Sequence, residues 1–176
     1  TTWLPPQLIE KAVFPYDAPQ YDLKGAIASL LQNCDPEIVG AFEDVTEEEL
    51  PTTTTTTKRL EDFRVPVNSV WRSVNGGCCE DAQKSLSVRV AADEAFLYLF
   101  DRFVSEVALP HIKRRLVASD DGAGVVEEDS PITFYYQRPP TLRLQPGPGW
   151  AKVKPHNDAE YGNQNGELNF WVPLTD

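Results

Sequence analysis

One stripe of side chains limits what this sequence can fold into more than any other feature. Phe96, Phe100, Phe103 and Val107 recur at steps of four, three and four, with Leu97, Val104 and Ala108 filling the same side. An α-helix advances 3.6 residues per turn, so these positions form one broad apolar face that must be covered. Asp93 stands where an N-cap would, and Pro110, which has no N–H to donate, is expected to end or kink the helix near Leu109. This face is core, since aromatic stripes at helical spacing pack.

Other segments fit around that helix. Asp22 to Leu31 places Leu23, Ala26, Ile27, Leu30 and Leu31 at helical spacing, with Asp22 as the cap. Thr46-Glu47-Glu48-Glu49 has the form of a capping box, limited to about a turn by Pro51. Thr52 to Thr57 is a uniform threonine tract expected to be an exposed connector. Val65 to Val74 and Ser85 to Val90 carry enough β-branched residues for short strands, with a turn at Asn75-Gly76-Gly77 between them. Ile132 to Tyr136, Thr141 to Gln145 and Glu167 to Leu174 read as further strands. In the last of these Glu167, Asn169 and Trp171 alternate with Leu168, Phe170 and Val172. Helices first and strands last describe an α+β domain or a helix-buttressed barrel.

Composition removes several classes of function. Lys and Arg number 16 against 27 Asp and Glu, a formal charge of −11, which argues against nucleic acid or an anionic membrane surface as partner. Lys113-Arg114-Arg115 reads as a helix C-terminus, where cations meet the negative end of the dipole. No apolar stretch is long enough to span a bilayer, so a soluble chain is expected. Cys34, Cys78 and Cys79 form no Cys-x-x-Cys pair, and a reducing compartment is the default for such a pattern. The sequence opens at Thr1 and contains no Met, consistent with a removed targeting segment or a cut from a longer chain.

The last part of the chain carries the chemistry. In an extended segment side chains two apart share a face, so His156 and Asp158 would present an imidazole and a carboxylate together. Two such groups are two ligands of a facial 2-His-1-carboxylate site for Fe(II). A lone His-x-Asp pair is more often a hydrogen-bonded surface couple. Here it sits between "PTLRLQ" and "YGNQNGELNFWVPLT".

Those surroundings resemble the Fe(II)/2-oxoglutarate-dependent oxygenases, in the StrG-like branch related to phytanoyl-CoA hydroxylases. The residues that carry the resemblance include Pro140, Leu142, Arg143, His156, Asp158, Tyr161, Gly162, Asn169, Trp171, Pro173 and Thr175, over about residues 134–176. Residues 1–90 carry no part of it. The resemblance implies amino-terminal helices packed on a partial double-stranded β-helix, a jelly-roll barrel. It also implies Fe(II) held by His156 and Asp158, 2-oxoglutarate as cosubstrate, and hydroxylation of a small-molecule substrate. Arg143 on its strand would face either a cosubstrate or substrate carboxylate, or Asp158 or Glu160. Asn169 and Trp171 would line the pocket, or Trp171 would simply be core.

Two features depart from the family. Its second iron-binding histidine and following basic residue lie well beyond the His-x-Asp pair, whereas only 18 residues follow Asp158 and none is His, Arg or Lys. The other histidine, His111, precedes the pair and reads as a surface or helix-end residue. The expectation is therefore a single domain over residues 1–176, the amino-terminal part of a longer oxygenase-like chain. Residues 1–130 would be mainly helical with short strands and residues 131–176 would form the first barrel strands. A missing carboxy-terminal segment or a protein partner would complete the barrel. The alternatives are a catalytically inactive oxygenase-like interaction subunit and a module that binds a metal or small acid without turnover.

Overall fold

Asp22 opens the first helix through its side chain: Oδ1 accepts the Gly25 N–H at 2.8 Å, one of the donors that a helix start leaves unpaired. In the computed structural model, which describes residues 8, 11–43, 58–65, 80–117, 131–144 and 167–175, this is helix α1, Leu23–Gln32. Leu23, Ile27, Leu30 and Leu31 are buried along it as the periodicity requires, with Ala28 rather than Ala26 completing the face. Strand β1, Ala41–Phe42, pairs antiparallel with β2, Phe63–Arg64, directly after a 3-10 turn at Leu60–Asp62. Gly40, at φ 133°, makes this pairing possible. A Cβ there would lie 2.4 Å from the Arg64 carbonyl oxygen, and L side chains rarely adopt that backbone conformation.

Residues 80–92 correct one expectation. They form helix α2, Glu80–Ala92, and no strand. The sequence Ser85 to Val90 alternates like a strand, but Ala82, Leu86 and Val90 also lie four apart. All three are buried, whereas Val88 is 62% exposed. The step of four, and not the step of two, is the one that tertiary packing uses. The β-branched content of a short run decides less than the face that can be covered.

Helix α3, Glu94–Phe103, begins where expected, with the Phe96 N–H donating to Asp93 Oδ1 at 2.9 Å. Pro110 does not end the helical run. A π turn at Val104–Ala108 leads directly into helix α4, Leu109–Val117. The Leu109 N–H donates to the Val104 carbonyl five residues back, so the turn is wider than an α turn. That widening accommodates a ring with no N–H inside a helical run. It also inserts one residue, which advances the apolar face by one position. Phe96, Phe103 and Val104 are buried, Phe100 and Val107 only half so, and burial continues at Ala108 and Ile112. Arg114 and Arg115 fall in the last turn of α4, where the dipole favours cations.

The described residues divide into two compact units. One takes residues 8, 11–21, 98–117, 131–137 and 167–172; the other takes 22–43, 58–65, 80–97, 138–144 and 173–175. Residues 131–144 and 167–175 form no strand ladder among the described residues. The alternation expected of them is present without it. Leu168, Val172 and Leu174 are half-buried, and Glu167, Asn169, Trp171 and Pro173 are exposed, with Phe170 at 45% the departure. Side-chain alternation belongs to extended backbone, whereas a strand needs a hydrogen-bonded neighbour. No helix among the described residues is long and apolar enough to cross a membrane. The threonine tract, the Thr46–Glu49 capping box, most of the Val65 to Val74 run and the Asn75-Gly76-Gly77 turn lie outside the described residues.

Candidate functional site

His156 and Asp158, the pair expected to bind iron, lie outside the described residues, as do Glu160, Tyr161 and Gly162. Three other sequence-predicted residues are placed. Arg143 is exposed in the extended segment 141–144 of one unit, where the neighbouring Leu142 carbonyl accepts a 3.4 Å hydrogen bond from Gln83 Nε2 of α2. Asn169 and Trp171 belong to the other unit. They share the exposed face of segment 167–175, with Trp171 at 72% exposure. Among the described residues no cluster of three or more His, Cys, Asp or Glu side chains could hold a metal ion.

A polar cluster that the sequence reading missed joins the segment before α1 to the π turn. Tyr21 is 5% exposed, and its hydroxyl donates to Glu106 Oε2 at 2.6 Å. Arg102 Nε and Nη2 grip the two Glu106 oxygens at 3.1 Å each, one helical turn away. The guanidinium carbon lies 5.5 Å from the centre of the Tyr21 ring, and Gln20 Nε2 donates to the Tyr21 hydroxyl at 3.2 Å. Every member therefore has a partner. The Arg102 guanidinium, and then the Tyr21 hydroxyl, hold the Glu106 carboxyl below its usual range. The hydrogen bond to Glu106, and then burial, push the Tyr21 phenol up. Such a cluster keeps a carboxylate ionised and a phenol neutral, which suits a rigid joint better than proton transfer. The Arg102–Glu106 spacing is visible in the sequence as an i, i+4 pair; the part of Tyr21 is not.

Aromatic contacts extend the same unit. Phe103 receives Tyr16 edge-on at 5.1 Å and Tyr21 at 6.0 Å. Tyr136 packs edge-on against Phe100 at 6.0 Å, and its hydroxyl donates to Asp101 Oδ1 at 2.9 Å. That contact attaches segment 131–137 to α3. His111 stacks on Phe14, ring centres 3.8 Å apart and planes 19° apart, and Phe170 meets Phe14 edge-on at 6.3 Å. His111 Nε2 is buried with no hydrogen-bond partner among the described residues. The expected surface or helix-end histidine is therefore a half-buried stacked one inside α4, placed there because the helix continues through Pro110.

Comparison with protein-family models, with curated proteins and with solved structures gives no match for this chain.

Proposed function

We propose that this chain is part of a non-haem Fe(II)/2-oxoglutarate-dependent oxygenase of the hydroxylase type, with a jelly-roll barrel as its catalytic fold. One observation carries the reading: Pro140, Leu142 and Arg143, the His156 and Asp158 pair, and the Glu167 to Thr175 run follow one another in a pattern that resembles that family's. The alternation of exposure along residues 167–175, broken at Phe170 and with Asn169 and Trp171 on one face, supports it as the pattern of a strand-forming segment.

The donor set fits the metal. A neutral imidazole and a carboxylate are nitrogen and oxygen ligands suited to ferrous iron, and they leave positions open for cosubstrate. His156 and Asp158 would hold Fe(II), which with 2-oxoglutarate and oxygen supplies the oxidising power for C–H hydroxylation. Arg143 is long and cationic enough to orient a carboxylate of cosubstrate or substrate. Trp171 and Asn169 offer an apolar plane and an amide for substrate contact.

A second reading has its own observation. Val13, Tyr135 and Trp171, all in one unit, are 87%, 95% and 72% exposed. Large apolar side chains presented to solvent suit a protein-contacting subunit that keeps the fold without the chemistry.

Calorimetric titration with Mn(II), a redox-inert stand-in for Fe(II), separates the two. The oxygenase reading expects Mn(II) binding that tightens when 2-oxoglutarate is present and is lost in His156→Ala and Asp158→Ala. Binding that ignores 2-oxoglutarate, or that survives both substitutions, overturns it.

A further inference from the structure

We propose that His111 is a pH-sensitive latch: the neutral imidazole holds the Phe14 segment against helix α4, and protonation in mildly acid solution loosens that contact. The geometry is a close stack, ring centres 3.8 Å apart and planes 19° apart. Stacking buries Nε2, which finds no acceptor or donor among the described residues. A neutral imidazole can leave that nitrogen as a bare lone pair. An imidazolium carries an N–H and a charge there and needs an acceptor or water.

Among the described residues, the charges acting on it offer no compensation. Within α4 the groups acting on His111 are Arg114 and Arg115, both cations. Segment 11–21 meets it with the Phe14 ring, and Phe170 closes on Phe14 from the edge. No carboxylate acts on the imidazole among the described residues. An imidazolium gains some attraction from the face of Phe14, but two nearby guanidinium groups and a buried nitrogen oppose it. Burial first, and then Arg114 and Arg115, hold the His111 pKa below its ordinary value. The contribution of the contact is therefore complete above the unfolded-state value of about 6.5 and falls away as pH drops through the folded-state value.

The latch is separate from the proposed iron chemistry and needs none of its residues. Its test is hydrogen exchange over residues 11–21 at about pH 7.5 and about pH 5.5, corrected for intrinsic rates, in wild type and in His111→Phe. Phenylalanine keeps the stack and has no proton to gain. The latch expects exchange of this segment to speed up several-fold in acid in the wild type and to stay level in the variant. Equal protection at both pH values in the wild type, or the same acceleration in His111→Phe, overturns it. Should the variant not fold, an NMR titration of the wild-type His111 ring decides: a midpoint at or above the ordinary histidine value refutes the latch, and a midpoint below it upholds the latch.

Discussion

Tyr21 donates its hydroxyl proton to Glu106 at 2.6 Å across 85 positions of sequence, and Arg102 holds the same carboxylate from one turn away. The chain before α1 and the π turn are joined by a three-residue network rather than by apolar contact alone. Partly buried networks of this kind rigidify a joint because each member satisfies the others.

The network sets a pH dependence at both ends of the scale. Glu106 is held low, so its contribution is present above an unfolded-state value of about 4.3 and is lost as pH falls through the folded-state value. Tyr21 is held high, so its contribution is present below an unfolded-state value of about 10 and is lost as pH rises through the folded-state value. Urea midpoints measured across pH for wild type, Glu106→Gln and Tyr21→Phe check this. Each variant should be less stable than wild type near neutrality. The Glu106→Gln deficit should shrink in acid and the Tyr21→Phe deficit in alkali.

Residues 85–90 offer a direct contest between two periodicities. Leu86 is wholly buried and Val88 is 62% exposed. Leu86→Ala should cost about 2–5 kcal/mol, and Val88→Ala should change stability by no more than about 0.5 kcal/mol. Chemical denaturation of the two variants decides it. Similar losses at both positions would restore the strand reading of this segment.

Asp93 caps α3 through its side chain at 2.9 Å from the Phe96 nitrogen. Asp93→Ala should therefore lower stability by about 0.5–2 kcal/mol, while Asp93→Ser or Asp93→Asn, which can accept the same bond, should recover most of it. Thermal melts of the three variants are sufficient. An alanine variant as stable as the serine one would show that the bond contributes nothing.

Cys34 is buried in one unit, with its Sγ 3.7 Å from the Leu30 carbonyl oxygen. Burial pushes its thiol up, with Arg89 opposing more weakly. Thiolate is the reactive form, so alkylation of Cys34 should be slow in the native protein and rapid in denaturant. Peptide mapping by mass spectrometry after timed alkylation measures that site alone. Fast native labelling of Cys34 would contradict its burial.

The proposed iron chemistry has its own measurement. Within these 176 residues the histidines are His111 and His156, and the 3.8 Å stack on Phe14 occupies the His111 ring. Two protein ligands hold ferrous iron loosely, so this polypeptide alone should release no succinate when loaded anaerobically with Fe(II) and 2-oxoglutarate and then given oxygen. Succinate above background would mean that another ligand completes the site, and His156→Ala should then abolish it.

What the sequence determined by itself is local. The Asp22 and Asp93 caps and the buried faces of α1 and α3 follow from the spacing of side chains along one stretch of backbone. So do the cations at the end of α4 and the alternation of exposure over residues 167–175. Each needs only the helical or extended geometry of its own segment. Tertiary structure decided whatever depends on a distant partner. It chose the helical over the strand reading of Ser85 to Val90, because burying Ala82, Leu86 and Val90 on one face outweighs the β-branched content of the run. It carried the helix through Pro110 by way of a π turn, which moved His111 from a helix end into a stack with Phe14. It also brought Tyr21 to Glu106 across 85 positions, which no window of local sequence contains. A side chain's own segment sets the direction in which it points, and only the folded chain supplies what it meets there.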